Sequence, residues 1–183
     1  MVLEVVSGCM FSGKTSYLIE TVNRAVQQDQ SYSLYTPTID TRYGSGAVGS
    51  HDNVSLAANP LTEDTAEEIL SDSADVILID ETNFLQQSAV PTILEKAENT
   101  HVVAAGLNTD FRAEPFEPVP KLIESANRTI FKTAICDICG DPATRTQRII
   151  DGEPAHYSDP VVDVGGSEKY EARCEECHTV RTE

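Results

Sequence analysis

The stretch Gly8-Cys9-Met10-Phe11-Ser12-Gly13-Lys14-Thr15 decides the fold. It fits the pattern G-x-x-x-x-G-K-[ST], in which two glycines let the backbone wrap closely around phosphate oxygens. The apolar run Val2-Leu3-Glu4-Val5-Val6 precedes it, and a segment with apolar residues at 18, 19, 22 and 26 follows it. A buried strand, a loop and a helix N-terminus in this order favour phosphate binding. The alternative is an ordinary glycine-rich turn between a strand and a helix.

The residue types of this loop predict the contacts that it makes with a nucleotide. Lys14 has the length to reach the β- and γ-phosphates, and the hydroxyl of Thr15 is a magnesium ligand. The predicted nucleotide contacts from the loop are Gly8, Met10, Ser12, Gly13, Lys14 and Thr15. We interpret Cys9 as a small filler rather than a nucleophile.

Strand and helix patterns alternate after the loop. The predicted strands are 33–36, ended by Pro37, then 54–57, 76–79, 101–107 and 129–134, and the predicted helices are 62–72, 86–98 and 118–126. Thr65-Ala66-Glu67-Glu68 is a candidate capping box, and the glycine-rich stretch 44–52 predicts a mobile loop near the phosphate site. The alternation predicts an α/β fold with a mainly parallel sheet covered on both faces.

Two carboxylates, Asp80 and Glu81, follow the apolar strand 76–79. An acidic residue at the carboxyl end of a strand beside a phosphate loop can hold magnesium, usually through water. Glu81, just past the strand, can turn toward an acceptor and take a proton from its hydroxyl. The alternative is a solvated pair of acidic residues at the end of a strand.

Four of the five cysteines form two CxxC pairs, Cys136 with Cys139 and Cys174 with Cys177. Two such pairs predict a tetrahedral zinc site of the structural type, with all four thiolates as ligands. The intervening residues 140–173 exceed the usual zinc-ribbon spacing, so a loop must be inserted between the pairs. A redox-active pair and free buried thiols are the alternatives, and His178 is either a replacement ligand or, as we expect, a bystander. We place a domain boundary near residue 134, between a nucleotide-binding domain (1–134) and a zinc-ribbon subdomain (135–183).

The charge balance constrains the partners. With 13 basic and 30 acidic residues, the net charge is −17, which argues against broad contact with a nucleic-acid backbone. The chain also shows neither a secretory signal nor a membrane-spanning apolar stretch, and we expect a cytoplasmic protein. The acidic excess is typical of proteins from salt-rich cytoplasms, while simple solubility is the alternative interpretation.

Several motifs in one order resemble the zinc-containing (type II) thymidine kinases. They are the phosphate loop, Asp40-Thr41-Arg42-Tyr43, Asp80-Glu81-Thr82-Asn83-Phe84, Gly106-Leu107-Asn108-Thr109-Asp110-Phe111-Arg112-Ala113-Glu114-Pro115-Phe116, and Val164-Gly165-Gly166-Ser167-Glu168-Lys169-Tyr170 with its flanking CxxC. The resemblance runs from residue 2 to about 178. It implies a RecA-like core and a zinc-anchored loop that closes like a lasso over a nucleoside.

The resemblance implies transfer of the ATP γ-phosphate to the 5′-hydroxyl of thymidine, with Mg²⁺ and structural Zn²⁺. It assigns Glu81 as the catalytic base and Asp40, Arg42 and Asp80 as further magnesium and phosphate contacts. The implied nucleoside contacts are Met10, Phe84, Leu107, Phe111, Phe116, Thr146, Val161, Gly165 and Tyr170. By composition alone, Phe111 and Phe116 would be core aromatics. The family also implies a homotetramer and feedback inhibition by dTTP.

The chain departs from the family pattern at Thr36, where a Lys is often found before the Asp40 segment, and at two positions near the implied site. Asn83 replaces a common Gln, and Asp163 stands where an aliphatic residue is usual, which puts a carboxylate close to the nucleoside or turns it to solvent. Two alternatives to thymidine phosphorylation remain. One is a kinase for deoxyuridine or another pyrimidine nucleoside. The other is a nucleic-acid-associated ATPase, against which the acidic excess over residues 136–178 argues.

Overall fold

The structure is a computed structural model that describes residues 2–39, 47–49, 55–62 and 66–182. In chain order the strands are β1 (Val2–Gly8), β2 (Tyr32–Pro37), β3 (Ala47–Gly49), β4 (Ser55–Ala57), β5 (Asn59–Leu61), β6 (Val76–Ile79), β7 (His101–Gly106), β8 (Arg128–Lys132), β9 (Ala134–Ile135), β10 (Pro142–Ala143), β11 (Arg145–Ile150), β12 (Glu153–Pro154) and β13 (Tyr170–Arg173). The helices are α1 (Lys14–Gln27), α2 (Ala66–Ser71), α3 (Ala89–Ala97) and α4 (Pro118–Ser125), with a 3-10 turn at Thr82–Phe84. Asp40, Arg42 and Thr65 lie outside the described residues.

Six strands form the central sheet in the order β5-β2-β6-β7-β1-β8. Every neighbouring pair in this sheet is parallel, which confirms the predicted α/β class with a parallel-sheet core. Only β7 separates β1 from β6. The carboxyl ends of parallel strands share one edge of a sheet, so the phosphate loop after β1 and the two carboxylates after β6 emerge side by side.

Alternating side chains bury both faces of the sheet. On one face, Leu3 and Val5 of β1 pack with Ile93 of α3 and Leu122 of α4. On the opposite face, Val6 of β1 packs with the apolar side of α1, formed by Leu18, Val22 and Ala25. Because neighbouring strand residues point to opposite faces, a strand that is covered on both sides reads as a continuous apolar run. This packing fixes the direction in which α1 leaves the phosphate loop.

The chain after β8 forms small antiparallel sheets. Strand β9 pairs with β10, and β11 lies between β12 and β13. A small buried cluster joins this part to the phosphate loop; its members are Cys9, Cys136, Ala143, Ala172 and Cys174. The change from parallel to antiparallel pairing falls where the sequence predicts a boundary, and the division into two domains stays a prediction.

The element predictions differ from the structure at several places, among them the start of α3, residues 47–49 and the end of the last core strand. Helix α3 begins at Ala89 rather than at residue 86, because Pro91 lacks the N–H that an interior helical position requires and fits only in the first turn. Residues 47–49 of the predicted loop form β3, where buried Val48 packs on the core. The last predicted strand of the core ends at Lys132, and Ala134–Ile135 is a separate strand that pairs with β10.

Candidate active site

The phosphate loop leaves β1 at Gly8 and enters α1 at Lys14. A Cβ atom at Gly8 would overlap the carbonyl oxygen of Lys132 in the neighbouring strand β8, so only glycine fits there. Gly13 has a φ of 79°, in the left-handed region that glycine adopts without strain. The first glycine therefore allows close packing at the end of the sheet, and the second allows the turn into the helix.

Two side chains bind the backbone of the loop itself. The Ser12 hydroxyl and the Lys14 ammonium each donate a hydrogen bond of 2.7 Å to the carbonyl oxygen of Cys9. Lys14 is buried, with 8% of its surface exposed. Its charge is therefore held against the loop, beside the backbone N–H groups that the motif directs at phosphate oxygens.

Asp80 and Thr15 meet between the two strand ends. The Thr15 hydroxyl donates to Oδ2 of Asp80 at 3.1 Å, and the backbone N–H of Glu81 donates to Oδ1 at 2.9 Å. Burial and the charge of Glu81 raise the pKa of Asp80 to about 7, against the weaker opposing effects of these hydrogen bonds and of Lys14. A hydroxyl and a carboxylate are oxygen ligands of the kind that Mg²⁺ takes, so this pair suits a magnesium ion bound with substrate phosphates.

The backbone at Glu81 is strained. Its φ of 50° and ψ of 40° lie in the left-handed region, which costs a residue with a Cβ about 1–3 kcal/mol. The conformation bends the chain sharply between Ile79, the last residue of β6, and the 3-10 turn at Thr82. Thr82 is fully buried and donates a 3.0 Å hydrogen bond to the carbonyl oxygen of Ala105, which anchors the bend to β7. Such strain persists where the surrounding structure holds it and is typical of functional sites.

Glu81 opens onto a pocket of about 490 Å³, which includes space open to solvent. This volume is in the range of small-molecule sites. The pocket is lined by Glu81 and by all nine predicted nucleoside contacts, namely Met10, Phe84, Leu107, Phe111, Phe116, Thr146, Val161, Gly165 and Tyr170. The structure thus brings together residues that are spread over most of the chain, while the role of each stays a prediction.

Four further residues line the same pocket: Asp110, Val162, Asp163 and Val164. Val162 and Val164 lie between the predicted contacts Val161 and Gly165 in the sequence, so their position could have indicated that they line the pocket. Asp163 was visible as a departure from the family pattern. Asp110 was not predicted, because its effect depends on the shape of its loop.

The loop that carries Phe111 and Phe116 is held by Asp110. The Oδ1 atom of Asp110 accepts the N–H groups of Arg112 at 2.8 Å and Glu114 at 2.9 Å. An aspartate that accepts such N–H groups from its own loop sets the local turn. Phe111 is fully buried, as its composition suggests, and lines the pocket as well.

The segments on the far side of the pocket are tied to the phosphate loop and to each other. The backbone N–H of Met10 donates to the Thr146 hydroxyl at 3.0 Å, which joins the loop to β11. The Tyr170 hydroxyl donates to the carbonyl oxygen of Asp163 at 2.6 Å. These two hydrogen bonds therefore join the C-terminal part of the chain to the phosphate loop and to the pocket segment that contains Asp163.

The four predicted zinc ligands come together. One Sγ atom from each of Cys136, Cys139, Cys174 and Cys177 lies within 4.8 Å of the others. Tetrahedral Zn–S bonds of about 2.3 Å require sulfur separations of about 3.8 Å, and the Cys139 and Cys174 sulfurs are 3.6 Å apart. Although burial raises the pKa of Cys136, hydrogen bonds from surrounding backbone groups outweigh this effect and lower it to about 6. The group fits a structural zinc ion.

His178 follows this group but is not one of its members among the described residues. Its Nε2 atom lies 2.9 Å from the carbonyl oxygen of Phe111. A carbonyl oxygen can only accept, so Nε2 carries the proton and donates. The side chain predicted to be a bystander thus links the cysteine group to the loop that carries Phe111.

Comparison with known proteins decides the family. The family model described as thymidine kinase matches residues 1–178. The chain belongs to the thymidine kinase family. A thymidine kinase from Halobacterium salinarum is 46% identical over 187 residues, which cover 99% of this chain and 95% of that protein. A thymidine kinase from Thermococcus kodakarensis is 43% identical over 188 residues, with the same coverage of both proteins.

Among solved structures, the Pif1 helicase from Candida albicans matches 71% of this chain and 36% of its own. The TM-score is 0.43 and the sequence identity is 15%.

The thymidine kinase match confirms the resemblance that the motifs indicate. The matched range contains the phosphate loop, Asp80, the pocket and all four cysteines of the zinc group. It also contains Asp40 and Arg42, whose predicted phosphate and magnesium contacts fall outside the described residues.

Proposed function

We propose that the chain transfers the γ-phosphate of ATP to the 5′-hydroxyl of thymidine, with Glu81 as the catalytic base. Membership of the thymidine kinase family makes it an ATP-dependent thymidine kinase. The observation that carries the mechanism is the position of Glu81. Its backbone N–H binds Asp80, which in turn binds Thr15 of the phosphate loop, while Glu81 itself lines the pocket.

The donor side of the site is the phosphate loop. Its backbone N–H groups and the charge of Lys14 would bind the phosphates of ATP and stabilise the charge that spreads over the transferred group. Thr15 and Asp80 would hold magnesium, with Asp40 and Arg42 as proposed further contacts. Magnesium, when bound, neutralises phosphate charge and orients the β- and γ-phosphates.

The acceptor side is the pocket beyond Glu81. Aromatic and aliphatic side chains line most of it, which suits a flat pyrimidine ring and a sugar with few charges. Phe111, Phe116 and Tyr170 supply the aromatic surface. In this proposal the hydroxyl end of the nucleoside would meet the donor at Glu81, which lines the pocket and follows Asp80.

The transfer itself requires little covalent chemistry from the protein. As the 5′-oxygen bonds to the γ-phosphorus, the bond from that phosphorus to the β,γ-bridging oxygen breaks and ADP leaves. The Glu81 carboxylate accepts the proton of the attacking hydroxyl. Buried Thr82 anchors the strained backbone at Glu81, so the part of the chain that carries the carboxylate is fixed before the substrate binds.

In this proposal the segment that carries Val161 and Gly165 also excludes water from the site. A water molecule in the acceptor position would take the phosphoryl group and hydrolyse ATP without product. The segment carrying Val161 and Gly165 borders the pocket, and Tyr170 binds that segment through the Asp163 carbonyl. We propose that this wall closes over the nucleoside.

We propose that the zinc group also stabilises this wall. A structural zinc ion adds its binding free energy to folding. Its four cysteines flank the sequence of the wall on both sides, and Cys174 follows β13, the strand that begins at Tyr170. Zinc binding would therefore fix the base of the loop that covers the nucleoside.

The test is an assay of ADP release with Mg-ATP and one nucleoside at a time, at low KCl and at molar KCl. Thymidine-dependent release, with dTMP as the second product, supports the proposal. Release with deoxyuridine or another pyrimidine nucleoside but not with thymidine would reassign the substrate. ATP hydrolysis that DNA stimulates and nucleosides do not would favour the nucleic-acid-associated ATPase.

Four further properties belong to this proposal. The product dTMP would serve DNA synthesis by nucleotide salvage, and dTTP, which carries the same base and sugar as thymidine, would compete for the pocket as a feedback inhibitor. A homotetramer is the expected assembly, which light scattering tests. A cytoplasmic location is the fourth. In the described part of the chain, no helix is long and apolar enough to cross a membrane.

A further inference from the structure

The segment 160–165, which we call the pocket wall, has no regular secondary structure. Val161, Val162, Val164 and Gly165 within it line the pocket. A segment without strand or helix hydrogen bonds needs other contacts to hold one conformation. Side chains from neighbouring segments supply them here.

Asp163 is the centre of these contacts. Its Oδ2 atom accepts from Nη2 of Arg148 at 2.7 Å, and its Oδ1 atom accepts from Nζ of Lys169 at 2.6 Å. The hydrogen bond from Lys169 and the charge of Arg148 lower the pKa of Asp163 below its usual range. The carboxylate therefore stays ionised, and each of its oxygens binds a different cation.

Arg148 holds the wall at two points. It lies on β11 with 7% of its side chain exposed. Besides binding Asp163, it donates from Nη1 to the carbonyl oxygen of Pro160, at the start of the wall. Its guanidinium carbon is 5.7 Å from the centre of the Phe111 ring, which lines the same pocket. Arg148 thus contacts both the wall and an aromatic residue of the pocket.

Lys169 and Tyr170 hold the other end of the wall. Lys169 donates to the carbonyl oxygen of Val164 at 3.2 Å as well as to Asp163, and Tyr170 donates to the Asp163 carbonyl oxygen. A Cβ atom on Gly165 would lie 2.7 Å from Cδ of Lys169, so the lysine stem packs directly on the wall. Three carbonyl groups of the wall are therefore bound by side chains, and two of these side chains, Arg148 and Lys169, are the cations that pair with the Asp163 carboxylate.

We propose that Asp163 is a positioning residue, which fixes the pocket wall through its two ion pairs and thereby sets the affinity for the nucleoside but not for ATP. The inference rests on the proposed function. An aliphatic residue at this position could pack but could not pair with two cations. Removal of the carboxylate would leave the buried Arg148 without its carboxylate partner, and an uncompensated buried charge moves or becomes hydrated.

The test compares Asp163→Asn, which keeps the shape and removes the charge, with Asp163→Glu, which keeps the charge. In Asp163→Asn the KM for thymidine rises by about tenfold or more, because a buried charge loses its partner, while the KM for ATP stays within about twofold. Asp163→Glu recovers part of the loss. Glu175→Gln is the matched control, since it removes another carboxylate from an exposed ion pair, with Arg145, and neither of these residues lines the pocket.

Hydrogen exchange in the free protein gives a readout that does not depend on the substrate. In Asp163→Asn, exchange speeds up across residues 161–166 and not in the central sheet. An unchanged KM for thymidine together with unchanged exchange in the wall overturns the proposal. Parallel increases in both KM values with a fall in Tm also overturn it, because they indicate general destabilisation. If the wild type does not use thymidine, the proposed function fails, and the exchange measurement alone decides whether Asp163 holds the wall.

Discussion

The hydroxyl of Thr15 donates a 3.1 Å hydrogen bond to Oδ2 of Asp80, and this contact joins the first turn of α1 to the end of β6. The other oxygen of the same carboxylate accepts the backbone N–H of Glu81. One buried carboxylate therefore sets the distance between the phosphate loop and the proposed base. Its environment has consequences for the dependence of stability on pH.

Asp80 should lower the stability of the free protein as pH rises. Its pKa is raised from 3.8 to about 7, so between these values the folded state holds a proton that the unfolded state has released. The contribution of Asp80 to the free energy of unfolding is therefore fully present below its unfolded-state pKa of 3.8, and it is lost as pH rises toward 7. Replacement of Asp80 by Asn removes the dependence. The difference in Tm between Asp80→Asn and the wild type, without Mg²⁺, should grow from pH 4 to pH 7 and then stay constant.

Magnesium provides the control for this prediction. A bound cation favours the ionised carboxylate, so Mg-ATP should raise the Tm of the wild type more at pH 8 than at pH 5. In Asp80→Asn the increase in Tm should be nearly the same at the two pH values. A Tm difference that does not change with pH would show that Asp80 is ionised in the free protein.

Gly8 should not tolerate a side chain. In Gly8→Ala the added Cβ overlaps the Lys132 carbonyl of β8, and backbone cannot move aside as a flexible side chain can. The free energy of unfolding should fall by about 3 kcal/mol, with loss of ATP binding. Gly152→Ala is the control, since Gly152 has a φ of 83° but nothing within 4 Å of an added Cβ, and its cost should be about 1 kcal/mol. Equal losses measured by chemical denaturation would contradict the account of Gly8.

Loss of one cysteine ligand should unfold the C-terminal part. Cys136→Ser should reduce zinc content, measured by atomic emission, and abolish protection from proteolysis in the C-terminal antiparallel sheets. Nucleoside binding should be lost, because Thr146 and Tyr170 lie on β11 and β13. Cys9→Ala, which removes a thiol outside the group of four, should retain the zinc. Normal zinc content in Cys136→Ser would argue for a different ligand set.

The net charge of −17 should make the protein tolerant of salt. Repulsion among like surface charges opposes folding, and at molar ionic strength the screening length falls to about 3 Å. We therefore expect Tm and activity to rise between about 0.1 M and 2 M KCl. If both are highest in dilute buffer and fall at molar KCl, the acidic surface serves solubility alone.

Local motifs carried most of what the sequence could predict. The phosphate loop and the CxxC pairs have fixed spacing, and their chemistry follows from residues that are neighbours in the chain. Parallel pairing followed from the alternation of elements, but the exact start of α3 depended on the single residue Pro91. Gln86 and Gln87 fit the helix pattern as well as the residues that follow them.

Features that arise from distant contacts could not be predicted. The left-handed backbone of Glu81 depends on Thr82 binding Ala105, 23 residues away. The ion pairs of Asp163 join it to Arg148, and no local pattern distinguishes that pairing from a solvated carboxylate. Only the resemblance to a family predicted that the pocket residues lie together, because composition alone predicts Phe111 and Phe116 to be core residues.

The central claim is that Glu81 links the phosphate loop to the nucleoside pocket as the catalytic base. The most direct measurement is the rate of thymidine-dependent ADP release by Glu81→Gln, alongside ATP binding by calorimetry. Gln keeps the size of the side chain and removes its capacity to accept a proton. We predict a fall in kcat of about 10²–10⁴-fold with ATP affinity nearly unchanged. Turnover at the wild-type rate would contradict the assignment.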